Sequence, residues 1–338
     1  MKKSLPILLC VLLSLSLLAG CVNPSPGPPE ATSQTGGPLK VYTSFYPMYD
    51  FASKIGGDTI QLTNLVSAGG EPHAWEPSTS DIIGLETADV FLYNGAGMEH
   101  WVSDVLAALE NPSLLSAEVS QGIPLLEGHS HDHDDDHDHD HDDDHGHDHD
   151  HDHDHDDDHD HDHASSPDPH VWLNPANAKI QMRNIADAFS KADPSNQSSY
   201  QANYEQYAAE LDKLDQEFKT TLSSLPNKDI VVSHEAFGYL CDAYGLNQVG
   251  VEGLSPDSEP DPARMAEIIS FVQENNVQTI FFEELVSSRI ADVIADSTGA
   301  KTAVLSPLEG LTAKQQEEGD DYFSIMRQNL AALKEALQ

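Results

Sequence analysis

The sequence predicts an α/β protein: two Rossmann-like lobes, each built on a parallel sheet, joined by one long rigid helix. Three observations carry that expectation. Short apolar segments bounded by Gly, Asp or Asn alternate with helical patterns before residue 110. The same alternation returns after Pro226, and an amphipathic run without Gly or Pro lies between the two halves. Alternating strand and helix signals mark parallel sheets covered by crossover helices.

In chain order, Lys2 and Lys3 precede an apolar run from Leu5 to Leu18. The run is too short to span a bilayer comfortably. With the small residues Ala19 and Gly20 after it, this is the layout of a secretory signal over 1–20. Leu18-Ala19-Gly20-Cys21 resembles a bacterial lipobox, which makes Cys21 the lipidated residue. Residues 21–38, rich in Pro, Gly, Ser and Thr, then read as a flexible tether leading away from a membrane. An uncleaved signal anchor is the alternative.

The first lobe is expected over 39–192, with strands at Leu39 to Ser44, Thr59 to Val66 and Asp89 to Asn94. Helical patterns surround Met48 to Ile55 and Trp101 to Leu109. Into this lobe, at 128–166, is inserted a run of His and Asp: His129 to His163 holds 15 of the 19 histidines and 18 aspartates, interrupted only by Ser130 and Gly146. Such a segment cannot bury a core, so a disordered loop is expected.

The connecting helix is placed at 193–226. Asp193-Pro194 gives a helix start with Pro at the first helical position. Tyr200, Tyr204, Tyr207, Leu211, Leu214, Phe218, Leu222 and Leu225 follow at spacings of three and four. From Ser195 to Leu225 it would be roughly 46 Å long. One leg of a helical hairpin packed on a single lobe is the alternative. The second lobe, 227–338, shows strands at Asp229 to Ser233, Leu246 to Val251, Thr279 to Phe282 and Thr302 to Leu305, with helices at Ala263 to Asn275 and Ser288 to Thr298.

The formal net charge is −42, and without the 18 aspartates of the run the chain still carries −24. An acidic body argues against nucleic acid and anionic lipid as partners and suits attraction of cations. With Cys10 removed and Cys21 lipidated, Cys241 stands alone, so no internal disulfide forms and a small core residue is expected.

Two of the four histidines outside the run share flanks: Glu71-Pro72-His73-Ala74-Trp75 and Asp168-Pro169-His170-Val171-Trp172. With His234, at the end of the apolar strand Ile230 to Ser233, these three are expected in loops at the carboxyl ends of strands, where open α/β sheets hold ligands. Trp75 and Trp172 would shield the imidazoles from water. Three neutral imidazoles favour Zn(II) over manganese or calcium. A fourth ligand or a water is then needed, and Glu309, in a Pro- and Gly-marked loop after the last strand, is the candidate. His100 opens a helix without the acidic-Pro context and is left out of the site. Glu283 and Glu284 could support the ligands from the end of a strand.

On these residues the chain resembles the zinc-binding lipoproteins of bacterial ABC importers, within the zinc/manganese solute-binding family. The motifs are Glu71-Pro72-His73, Asp168 to Pro175, Val232-Ser233-His234-Glu235-Ala236-Phe237-Gly238-Tyr239 and Gly319-Asp320-Asp321-Tyr322-Phe323, and the likeness runs from Leu39 to Leu337. It implies the metal-type solute-binding fold, with one tight Zn(II) between the lobes held by His73, His170, His234 and Glu309. Many relatives have Leu-Asp-Pro-Leu where this chain has Leu305-Ser306-Pro307-Leu308, a departure that bears on the fourth ligand.

The resulting expectation is an extracytoplasmic, lipid-anchored monomer that captures Zn(II) and delivers it to an ABC permease with its ATPase. Further zinc ions would bind weakly on the His-rich loop. The alternatives are a manganese or other divalent-metal receptor of the same family, a surface metal buffer or adhesin, and a zinc hydrolase. No enzymatic step is expected, and the sequence has no His-Glu-x-x-His motif.

Overall fold

The computed structural model describes residues 37–128, 166–256 and 260–338. The secretory signal, Cys21 and the His/Asp run lie outside them.

The first lobe follows the predicted alternation: β1 (Leu39–Thr43), α1 (Tyr46–Gly56), β2 (Ile60–Asn64), α2 (Thr79–Leu85), β3 (Val90–Tyr93), α3 (Val102–Ala108) and β4 (Leu115–Glu118). Its strands pair in the order β2-β1-β3-β4, all parallel. The second lobe contains β5 (Asp229–Val232), α6 (Gly238–Tyr244), β6 (Asn247–Gly250), α7 (Pro262–Glu274), β7 (Thr279–Phe282), α8 (Arg289–Thr298) and β8 (Lys301–Val304), followed by α9 (Ala313–Glu318) and α10 (Tyr322–Ala336). Its order, β6-β5-β7-β8, is again all parallel and repeats the first. In each sheet the winding direction reverses between the two central strands. Open α/β sheets form a crevice outside the carboxyl ends of strands at such a reversal.

Between the sheets run α4 (Pro175–Ala192) and α5 (Gln197–Ser223). Asn174 caps α4 by accepting the N–H of Ala176, and Pro175 occupies its first turn, where a missing N–H costs nothing. The helix signal at Asp193-Pro194 resolves into a single 3-10 turn, Pro194–Asn196, because the Asp193 carboxylate accepts the N–H of Ser195. Then α5 runs 27 residues, roughly 40 Å, and buries Tyr200, Tyr204, Ala208, Leu211, Leu214, Phe218 and Leu222.

The helix packs on α1 and α4 of the first lobe and on α6 and α10 of the second. Both sequence readings of it therefore hold in part, since it is one leg of a hairpin with α4 and also the strut between lobes. One apolar core joins the two sides, running from Phe45, Met48 and Trp172 through Leu211 and Phe218 to Val232, Phe237 and Tyr322. Cys241 lies buried in that core as a free thiol. Among the described residues no helix is long and apolar enough to cross a membrane.

Candidate metal centre

His234 lies two residues beyond β5 and Glu283 one beyond β7, so the central strands of the second sheet deliver both to its crevice. Glu309 follows β8, and His73 follows β2 across the interface. His170 departs from the sequence expectation because it does not end a strand. It precedes a 3-10 turn, Val171–Leu173, that leads into α4. It reaches the same edge by another route: the Asn94 side-chain amide, just past β3, donates to the Pro169 carbonyl at 3.0 Å, and Gln181 of α4 donates to Asn94 at 2.9 Å.

The structure brings all four sequence-predicted ligands together. One ligating atom from each of His73, His170, His234 and Glu309 lies within 4.8 Å of every other. Glu309 Oε1 is 3.1 Å from the Nε2 atoms of His73 and His170 and 3.6 Å from that of His234. His170 Nε2 is 3.2 Å from His73 Nε2 and 3.3 Å from His234 Nε2. Four ligands about 2.0–2.1 Å from a tetrahedral zinc would stand about 3.3–3.4 Å apart. The observed edges bracket that value, so the donor set and its spacing fit zinc. His170 and His234 are fully buried and Glu309 nearly so. A cleft of about 640 Å³ between the lobes, lined by Tyr46, Asp50, Asn64, Gln316 and Asp320 among others, reaches Glu309.

The paired acidic-Pro-His segments act differently. The Glu71 carboxylate accepts the backbone N–H groups of His73 and Ala74, at 2.8 and 3.0 Å, and so shapes the loop. Asp168 Oδ1 takes the backbone N–H of His170 at 2.9 Å and also faces its ring Nδ1 at 2.8 Å. Glu283 Oε1 faces His234 Nδ1 at 2.5 Å. A carboxylate on Nδ1 fixes the proton there and leaves Nε2 as the free lone pair, and it strengthens the ligand. Glu283 thus takes the supporting place the sequence suggested, whereas Glu284 accepts from Gln315 instead. The role of Asp168 was missed, although the acid two residues before both His73 and His170 was the signal. Room for it depends on Gly238, where a Cβ would lie 2.4 Å from Asp168 Oδ2.

Burial disfavours charge on His170 and His234, yet the adjoining carboxylates outweigh it and hold both imidazoles above their ordinary range, His234 well above. Burial would likewise raise Glu309, but the three imidazoles hold its carboxyl well below the usual carboxylate range. A metal ion takes the Nε2 lone pair, so its binding competes with protonation of that nitrogen. Trp172, fully buried, lies 5.3 Å from the His170 ring and fills the shielding role expected of it. Trp75 corrects the expectation for its side: half-buried, it packs edge-on against Trp101 at 5.2 Å, beside the cluster of Leu65, Phe91 and Val102. His100 is exposed, with only a 3.9 Å approach to Glu76, and stands apart from the site.

Residues 41–336 match the family described as zinc-uptake complex component A, periplasmic. The chain is 40% identical over 321 residues to the high-affinity zinc uptake system protein ZnuA of Bacillus subtilis, covering 95% of this chain and 94% of that protein. It is 36% identical over 333 residues to the zinc-binding lipoprotein AdcA of Streptococcus pneumoniae, covering 98% of this chain and 61% of that longer protein. Among solved structures, the Zn(II)-bound ZnuA-like domain of Streptococcus pneumoniae AdcA is similar with a TM-score of 0.72 at 34% identity, covering 89% of this chain and 99% of that domain.

Proposed function

The chain belongs to the zinc-uptake complex component A family, and from that premise we propose that it captures one Zn(II) ion outside the cytoplasm and delivers it to an ABC-type permease and its ATPase. The observation that carries this reading is the convergence of three imidazoles and one carboxylate from two lobes on one buried point. Zinc is the cargo, held by His73, His170, His234 and Glu309. A hydrolytic zinc site keeps one position open for water; here Glu309 fills the fourth corner, so the reading includes no chemical step.

The same reading places the protein as a monomer anchored through lipid on Cys21. Weaker zinc ions would bind along the His/Asp run. The lobes divide at 39–192 and 227–338 with the connecting segment at 193–226 between them. The family resemblance and the bacterial signal layout of the first 20 residues support this arrangement.

The experiment is metal analysis of protein purified without added metal, followed by titration calorimetry with Zn(II) and Mn(II). The expected outcome is one tight Zn(II) per chain with Mn(II) bound far more weakly. Equal affinity for the two ions, or no tight phase, would overturn the assignment. Mass spectrometry of the protein extracted from membranes tests Cys21: a diacylglycerol-sized addition there is expected, and an unmodified Cys21 removes the anchor.

A further inference from the structure

His170 and Glu309 belong to opposite lobes, and their surroundings are tied together directly. The indole N–H of Trp172, two residues after His170, donates to the carbonyl of Pro307, two residues before Glu309, at 2.7 Å. The Trp172 ring is fully buried and meets Phe45 edge-on at 5.1 Å, so the indole has one fixed direction. Its own carbonyl accepts the Tyr322 hydroxyl, from the start of α10, at 2.8 Å. Farther along α10, the buried Asn329 side chain accepts the N–H of Ser306 at 2.9 Å and donates to its carbonyl at 2.7 Å.

The turn gripped in this way is one that a chain does not adopt freely. Leu308 has φ +60°, a left-handed conformation that a branched side chain disfavours. The Ser306 hydroxyl accepts the Leu308 N–H at 3.2 Å and helps to hold it. Glu309 follows immediately. Its carboxylate is carried on this turn, and the Trp172 bond to Pro307 is a direct tie between the turn and the His170 segment.

We propose that Trp172 is a positioning residue whose indole N–H locks the Glu309 turn onto the His170 segment and thereby sets how slowly the bound ion leaves. The inference rests on the reading of His73, His170, His234 and Glu309 as the ligands. It assigns the escape rate to a hydrogen bond that touches none of them.

The test is stopped-flow release of Zn(II) from the full chain into excess chelator, reading the slow phase of the tight site. Trp172→Phe keeps a buried aromatic ring and loses the donor, leaving the Pro307 carbonyl unpaired. Zinc release is expected to quicken roughly five- to tenfold, in line with one buried hydrogen bond, with unchanged association and one tight ion retained. Tyr322→Phe loosens Trp172 from the other side and should quicken release less. Asp321→Asn is the control: it removes the 2.9 Å ion pair with Lys54 across the lobes, while Asn still caps α10, and its release rate should stay unchanged.

An unaltered slow phase in Trp172→Phe would overturn the proposal, as would equal acceleration by Asp321→Asn, which would mean generic lobe adhesion. If circular dichroism shows that Trp172→Phe does not fold, Tyr322→Phe decides, and an unchanged slow phase there overturns it. Absence of a tight phase in the unsubstituted protein instead brings down the ligand assignment itself.

Discussion

Glu283 Oε1 stands 2.5 Å from His234 Nδ1, and both groups are buried at the carboxyl ends of adjacent central strands, β7 and β5. The carboxylate dictates which nitrogen of His234 faces the metal position. Asp168 does the same for His170 at 2.8 Å, while His73 has its backbone rather than its ring held by Glu71. Two of the proposed imidazole ligands are therefore oriented in advance, and His73 approaches the same point from the more accessible side.

Glu283→Gln follows from that relationship. An amide can still accept from Nδ1, but it lacks the charge that strengthens the imidazole as a ligand. Zinc affinity is expected to fall about 10- to 100-fold, with one ion still bound per chain. Competition titration against a chelator of known affinity measures it, and an unchanged constant would show that the tautomer is fixed by other means.

The proposed ligands should separate cleanly from a bystander histidine. His170→Ala or His234→Ala removes a buried imidazole at the converging point, whereas His100→Ala alters an exposed ring. Zinc that binds only the folded state raises stability by mass action. The zinc-induced rise in melting temperature should therefore vanish or nearly so in the first two variants and persist in the third. Equal losses in all three would contradict the assignment.

Much of the fold was legible in the sequence because short apolar segments, spaced by helical patterns, report a parallel sheet covered by crossover helices. β4, Leu115–Glu118, escaped that reading because Leu-Ser-Ala-Glu offers no apolar run and no β-branched or aromatic residue. The short helices α6 and α9 carry too few turns to show a period. His73 and His170 stand out by their flanks, His234 by its strand end and Glu309 by its loop and the family resemblance, but the meeting of these proposed ligands is not local: His73 and Glu309 are separated by 236 positions, and only the folded lobes join them. The same limit explains Trp75. Its position beside His73 suggested a shield, yet its ring is claimed by Trp101, which no local pattern could disclose.

Cys241 offers a check on the core that is independent of zinc. Its thiol is buried, and burial, aided by the Asp168 carboxylate, pushes its pKa far above the usual thiol range. Only a thiolate reacts readily with disulfide reagents. With Cys10 and Cys21 changed to Ser, the folded protein should give almost no reaction with an aromatic disulfide at pH 8, then one thiol per chain in denaturant. Rapid reaction of the folded form would mean that the packing around α6 opens easily.

The base of the His/Asp run supplies the last prediction. Glu127 and Pro167 form an antiparallel bridge, the N–H of Gly128 donates to Ser166 at 3.1 Å, and that of Asp168 donates to Leu126 at 2.9 Å. The two ends of the insertion are thus already side by side, and a short Gly-Ser linker in place of residues 129–165 should close them without moving Asp168 or His170. All four proposed ligands lie outside the replaced segment. Calorimetry should therefore show the tight Zn(II) phase retained and the weaker, multi-ion phase lost. In the full chain that weak phase should fade between about pH 7 and pH 5, because protonation removes the imidazole lone pairs and their ordinary pKa is near 6.5. The surrounding aspartates favour the protonated form and would move the window upward. Loss of the tight phase on replacement would place a ligand inside the run, and a weak phase unchanged at pH 5 would assign it to carboxylates instead of histidines.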